Sequence, residues 1–183
     1  MPSCPTAPDP PCGFRGAFFA DAVRREAAAT VSGPIHLVPA AVAVPADAED
    51  VALLIAWAAK EGIPLVPRGG GTGMPGGNVG RGVVVDLSAL THLRPPDRGE
   101  EVLEAGAGVT GAAVEQAARV VGRFFPPLPS SADRCTVGGM VANNAAGART
   151  FRYGPVRPWV EALDVVLADG TFARLERGRA EAR

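Results

Sequence analysis

The chain has 183 residues, 47% of them apolar, and a formal net charge of −1. A disordered chain needs low hydrophobicity and high net charge, so it is excluded. The near-neutral balance leaves no electrostatic footprint for nucleic acid or an anionic membrane. Glycine (23) and proline (18) are abundant, but glycine has no three-residue period, which excludes a collagen-like chain.

Residues 1–34 read as a Pro-rich leader followed by an Ala-rich helix over 14–29, ended near Ser32-Gly33-Pro34. The leader has no basic region followed by an apolar core, so it is not a secretory signal. Ala41–Val44 is a short apolar strand. Asp47 is an N-cap with Asp50 at the third helical position. Val51, Leu54, Ile55 and Ala58 then mark one helical face, and Gly62 ends the helix. Ile63–Val66 is a strand apolar enough to be buried on both faces, a glycine loop follows, and Val83–Asp86 is the next strand. These elements make a small βαβ unit with parallel neighbours. A strand around Glu101–Ala105 opens the second half. Thr110 caps a helix with an inner face at Ala113, Ala117, Val120 and Val121. Residues 136–147 are small and turn-like. Ala162–Ala168 is a strand, Asp169-Gly170 a hairpin turn and Thr171–Leu175 its return. The fold class is α+β. No Ser- or Gly-rich linker separates the halves, so they are expected to pack on each other.

The longest uncharged apolar stretch, Val51–Ala59, is half the length of a membrane span. Cys4, Cys12 and Cys135 are too few and too scattered for a disulfide framework or, with His36 and His92, a metal site. The chain reads as cytoplasmic, peripheral to a membrane only through a partner.

The chemistry concentrates in two segments. Residues 67–82 read PRGGGTGMPGGNVGRG, and eight of the fourteen residues from 69 to 82 are glycine. That density costs backbone entropy, which a close ligand approach would explain. Successive main-chain N–H groups form an anion-binding concavity, to which Arg68 adds a charge and Thr72 a hydroxyl. A phosphate or pyrophosphate suits it. A P-loop is excluded, because the only lysine is Lys60, before the loop. Gly71, Gly73 and Gly76 spell GxGxxG, but Pro75 and further glycines follow instead of a helix, against a Rossmann reading. The second segment, FPPLPSSADRCTVGGMVANNAAGARTFRYG at 125–154, sets small residues beside Ser131, Thr136 and Asn144. Taken alone, it is equally a packed turn or a second ligand surface.

Together, PRGGGTGMPGG and PSSADRCTVGGMVANNAAG resemble the FAD-binding domain of the vanillyl-alcohol oxidase / p-cresol methylhydroxylase (PCMH-type) flavoprotein superfamily. The branch that holds the flavin subunit of glycolate oxidase and the D-lactate dehydrogenases is the most similar, over roughly residues 36–175. The resemblance implies a PCMH-type fold at 35–183, with a βαβ subdomain at 35–100 and an incomplete mixed-sheet subdomain at 101–183. FAD would lie between the two. Pro67, Arg68, Gly69, Gly70, Gly71, Thr72, Gly73, Met74, Gly76 and Gly77 would cradle its pyrophosphate. Ser131, Thr136, Gly138 and Gly139 would line the pyrophosphate, ribityl chain and flavin. Ala142, Asn144, Gly147 and Tyr153 would continue that wall, with Val165 near the adenine. Thr72 stands where branches with covalent flavin carry histidine, so FAD would be non-covalent. Leu128 stands where relatives often have Asp, and the segment ATVSGPIHLVP is shortened. The implied function is the flavin domain of a 2-hydroxy-acid dehydrogenase, truncated before its substrate domain, with electrons passed to a separate acceptor subunit. No catalytic residue is assigned, and His36, His92, Arg149, Arg152 and Arg157 read as surface, turn or phosphate-neighbour residues. A non-catalytic flavin module working with a partner chain is the alternative.

Overall fold

The structure, a computed structural model, describes residues 8–97 and 99–178. It divides into two compact units. The first runs to Ala89 and includes Val166–Thr171. The second is Leu90–Val165 together with the chain from Phe172.

In the first unit the order is β1 (Ala17–Phe19), α1 (Ala22–Ala27), β2 (Ala41–Val44), α2 (Ala48–Glu61), β3 (Leu65–Arg68) and β4 (Val83–Asp86). The sheet order is β1-β2-β4-β3, with β1 antiparallel to β2 and both β2 and β3 parallel to β4. Strand residues alternate between two cores. Ala41, Ala43, Val83 and Val85 pack with Leu54 of α2 on one face; Val42 and Val84 pack with Ala28 on the other. The N-cap of α2 forms as expected, Asp47 accepting from the Asp50 N–H at 3.0 Å, and Gly62 ends the helix at φ 66°.

Three expectations change here. The helix expected over 14–29 is a strand and a shorter helix. Phe18 packs beside Trp57 on one face of the sheet and Phe19 on the other, a period of two that overrides the alanine-rich helical tendency. Asp21 caps α1 only from Ala22 onward. The strand expected at 63–66 lies two residues later and is only half-buried. The two strands flanking α2 are not neighbours, because β4 inserts between them.

The second unit holds the antiparallel pair β5 (Leu93–Arg94) and β6 (Glu104–Ala105), then α3 (Gly111–Val120), α4 (Val137–Ala142), α5 (Thr150–Tyr153) and the strand pair β7 (Ala162–Val166) and β8 (Phe172–Glu176). Its core centres on Cys135, Met140 and Val156. Thr110 caps α3, accepting from the Ala113 N–H at 3.3 Å. The buried face of α3 differs from the expected one: Gly111, Val114, Glu115, Ala117 and Ala118 are buried, while Val120 is 81% exposed. The buried carboxylate of Glu115 accepts from the Phe125 N–H at 2.7 Å, and Arg119 Nη2 also donates to it at 2.8 Å. The stretch expected to be turn-like, 136–147, contains α4. The strand expected at 101–105 is reduced to its last two residues.

Candidate functional site

The glycine loop leaves the carboxyl end of β3 and returns into β4, the end of a parallel sheet at which ligands bind in open α/β folds. Pro67 is exposed and Gly69, Gly70 and Thr72 are partly covered. Arg68 closes the base of the loop. Its Nη1 donates to the Asn78 carbonyl at 3.1 Å and to the Thr30 carbonyl at 3.0 Å. Burial lowers the guanidinium pKa, opposed by the charge of nearby Asp86.

The loop glycines fall into two kinds. Gly71 has φ 69°, and a Cβ there would lie 2.5 Å from Arg68 Nη2. Gly76 has φ 89° and would meet Ile35 Cδ1 at 2.6 Å. A Cβ on Gly82 would lie 1.9 Å from the Pro64 carbonyl oxygen. These three are small for the protein's own sake. Gly77 has nothing within 4 Å of a Cβ, and at Gly73 the nearest atom is Asn78 Nδ2 at 3.8 Å. Among the described residues, no backbone N–H from Gly71 to Asn78 donates a hydrogen bond within the chain. Buried backbone donors are nearly always paired, so a partly covered run of unused ones offers itself to an outside acceptor. Asn78 Oδ1 is buried with no partner. Met74, 68% exposed, stands at the tip.

The second segment is built differently. The N–H of Val137 donates to the Val109 carbonyl at 2.8 Å and that of Gly138 to the Ala107 carbonyl at 2.9 Å. A Cβ on Gly138 would come within 2.9 Å of Ala107 Cβ, and one on Gly147 within 1.9 Å of the Leu128 carbonyl oxygen. Both glycines are therefore required by packing inside the unit. Thr136 and Gly139 keep a free side. Thr136 Oγ1 is buried without a partner, makes no capping bond to α4, and is the atom nearest a Cβ on Gly139, at 3.4 Å.

The other expected residues are placed as follows. The Ser131 carbonyl accepts from the N–H groups of Arg134 and Cys135, shaping the turn before α4. Ala142 is exposed. Asn144, at φ 46°, accepts on its Oδ1 from the Arg157 N–H at 2.9 Å. Tyr153 packs edge-on between Phe124 and Trp159, at ring distances of 5.6 and 6.5 Å. Arg149 and Arg152 lie over the rings of Phe124 and Tyr153. Val165 is half-buried on β7. Leu163, two residues before it, lines a groove of about 350 Å³ with Val141, Val160, Ala162 and Leu175. His36 is exposed, its Nε2 2.6 Å from Glu26 Oε1, and His92 is exposed. Among the described residues, no group of His, Cys, Asp or Glu could hold a metal ion, and no helix is long and apolar enough to cross a membrane.

One residue was missed in the sequence reading. Asn78 carries the orphaned acceptor of the loop; its only signal was a side-chain amide inside an otherwise glycine-rich run. Both hydrogen bonds of Arg68 Nη1 go to main-chain carbonyls.

A family model described as an FAD binding domain matches residues 39–176. The chain belongs to that family. Relatives include a D-lactate dehydrogenase of Archaeoglobus fulgidus, 42% identical over 131 residues, which span 70% of this chain and 29% of that protein. A D-2-hydroxyglutarate dehydrogenase of Pseudomonas putida is 35% identical over 86% of this chain and 16% of its own length. The glycolate oxidase subunit GlcD of Bacillus subtilis is 31% identical over 74% and 29%. The chain thus spans less than a third of the length of these relatives. Among solved structures, 6-hydroxy-D-nicotine oxidase of Arthrobacter nicotinovorans superposes with a TM-score of 0.77 over 90% of this chain and 36% of that one, at 22% identity. An alkyldihydroxyacetonephosphate synthase does so with a TM-score of 0.66 over 80% and 27%. At that identity the likeness establishes the fold, which agrees with the α+β class and the PCMH-type architecture expected from the two motifs.

Proposed function

We propose that this chain is the flavin-binding part of an FAD-dependent oxidoreductase that dehydrogenates a 2-hydroxy acid of the glycolate or D-lactate kind. The observation that carries the reading is the run of unused amide donors from Gly71 to Asn78, beside the open faces of Gly73 and Gly77. Such a run fits the oxygens of a pyrophosphate. The orphaned Asn78 Oδ1 of the same loop fits a hydroxyl of FAD, because an unpaired buried acceptor is costly unless a ligand supplies the donor.

By the resemblance, Thr72 stands where a linking histidine would be, and the cofactor would be held without a covalent bond. When bound, FAD supplies the hydride acceptor, and the protein's part is binding and orientation. No residue of this chain is assigned to proton transfer. The substrate class rests on relatives named for D-lactate, D-2-hydroxyglutarate and glycolate. One of them is named as a subunit, which supports a partner subunit here.

The test is direct. The purified chain is mixed with FAD, desalted and examined for a visible flavin band, and the flavin is then released with acid. A retained band released by acid without covalent residue is expected. Colourless folded protein that ignores added FAD would overturn the reading.

A further inference from the structure

We infer that Arg68 is a positioning residue of the glycine loop, a brace for its main chain rather than a counter-charge to the ligand. This rests on the flavin-binding reading only for the identity of the ligand. An arginine at the mouth of a glycine loop invites the assumption that it neutralises phosphate. The geometry here commits one of its two terminal nitrogens to the loop's own backbone. The two bonds of Nη1 go to the carbonyls of Thr30 and Asn78, at 3.0 and 3.1 Å. A terminal guanidinium nitrogen has two N–H groups, so Nη1 is fully used.

The two carbonyls belong to two segments remote from each other in sequence. Thr30 belongs to the segment 30–37, which covers the loop: a Cβ on Gly33 would meet the Met74 carbonyl at 3.3 Å, and Ile35 closes on Gly76. That segment is pinned at its base by the bridge between Thr30 and His36 and by the Leu37 N–H donating to the Ala29 carbonyl at 2.9 Å. Asn78 ends the run of unused amides and carries the orphaned acceptor. Arg68 therefore ties the start of the loop, its end and its cover to one rigid planar fork. Gly71 rests against the same guanidinium at φ 69°, a conformation that residues with a side chain rarely adopt. Without the brace, a chain this rich in glycine has many conformations, and a ligand would have to order it on binding. Lysine cannot substitute, because one ammonium on a flexible stem does not hold two fixed directions.

The test compares Arg68→Lys, which keeps the charge, with Arg68→Met, which removes it. Two readouts are taken on the whole chain: FAD affinity from the spectral change of the bound flavin at several salt concentrations, and backbone order parameters of residues 69–78 by NMR without FAD. A brace predicts that both variants lose FAD affinity by about tenfold or more, with the salt dependence unchanged from the parent. It also predicts loop order parameters falling from near 0.85 to below about 0.6 in both, before any ligand is added. Full affinity in Arg68→Lys, a reduced salt dependence in Arg68→Met and an unchanged ligand-free loop would overturn the inference in favour of a counter-charge. If the parent chain binds no FAD, the functional reading fails by itself. The ligand-free order parameters then still decide the brace, a loosened loop supporting it and an unchanged one refuting it. If Arg68→Met does not fold, the Lys variant decides alone, since the counter-charge role predicts it to be near-normal.

Discussion

The two glycine-rich segments look alike in composition and differ in what glycine does there. In the first, main-chain donors from Gly71 to Asn78 are unused, Gly77 faces open space and Gly73 has room for a Cβ. In the second, the N–H groups of Val137 and Gly138 are spent on Val109 and Ala107, and Gly138 and Gly147 are small because other backbone lies against them. Glycine density therefore marks close approach of something to the main chain. Only the local hydrogen bonds tell whether that something is a ligand or the protein itself.

The comparison breaks most visibly at Gly147. Alanine there would put Cβ 1.9 Å from the Leu128 carbonyl oxygen, and backbone cannot yield as a flexible side chain can. Gly147→Ala is expected to cost about 3 kcal/mol or more in urea unfolding. A change below 1 kcal/mol in that measurement would mean that the turn is loosely held and that this glycine has another reason.

The opposite result is expected at Gly77. Nothing lies within 4 Å of its Cβ position, so Gly77→Val leaves stability within about 0.5 kcal/mol. It is expected to weaken FAD binding by about a hundredfold, because a branched side chain would stand where the ligand meets the main chain. Titration of the flavin spectrum checks this. Undiminished affinity would remove Gly77 from the site and weaken the distinction between the two segments.

Among the described residues, each unit also buries one carboxylate. Asp50 accepts from the N–H groups of Arg15 at 3.1 Å, Gly16 at 2.8 Å and Ala46 at 2.9 Å. Burial would raise its pKa; those three hydrogen bonds and the Arg15 charge outweigh burial and hold it below the ordinary carboxylate value. A pKa lower in the folded than in the unfolded chain stabilises above the unfolded pKa and is lost as pH falls through the folded one. Asp50→Asn is therefore expected to cost about 2 kcal/mol at neutral pH. It should also flatten the loss of stability below about pH 4. Thermal unfolding at pH 7 and pH 3 measures both, and parallel curves for parent and variant would refute the assignment.

How much of this was readable beforehand follows from range. The first turn and the end of α2 were legible because cap, face and αL glycine lie within one segment. The strand at Ala17–Phe19 was not, because its period of two becomes visible only when a sheet exists for Phe18 and Phe19 to straddle. α4 was hidden among residues of poor helix propensity, and its entry is set by carbonyls about 30 residues earlier. At the site, the loop itself was legible from glycine density. The brace at Arg68 and the inward turn of Gly138 were not, since Thr30 and Ala107 are remote in sequence.

The smallest effect is expected at the second unit's carboxylate. Glu115 is buried while Arg119, one helical turn on, has a side chain 70% exposed, and they meet at 2.8 Å. An ion pair with one member in water is screened and loses side-chain entropy in forming. The Phe125 N–H, at 2.7 Å from the other carboxylate oxygen, fixes the turn after α3 whether or not the guanidinium is present. Arg119→Ala is expected to change stability by no more than about 0.5 kcal/mol in urea unfolding. Asp50 is held in the same way, chiefly by backbone donors with an exposed arginine beside them. A loss of about 2 kcal/mol or more in Arg119→Ala would separate the two sites, because it would make the arginine, and not the backbone, the reason Glu115 can be buried.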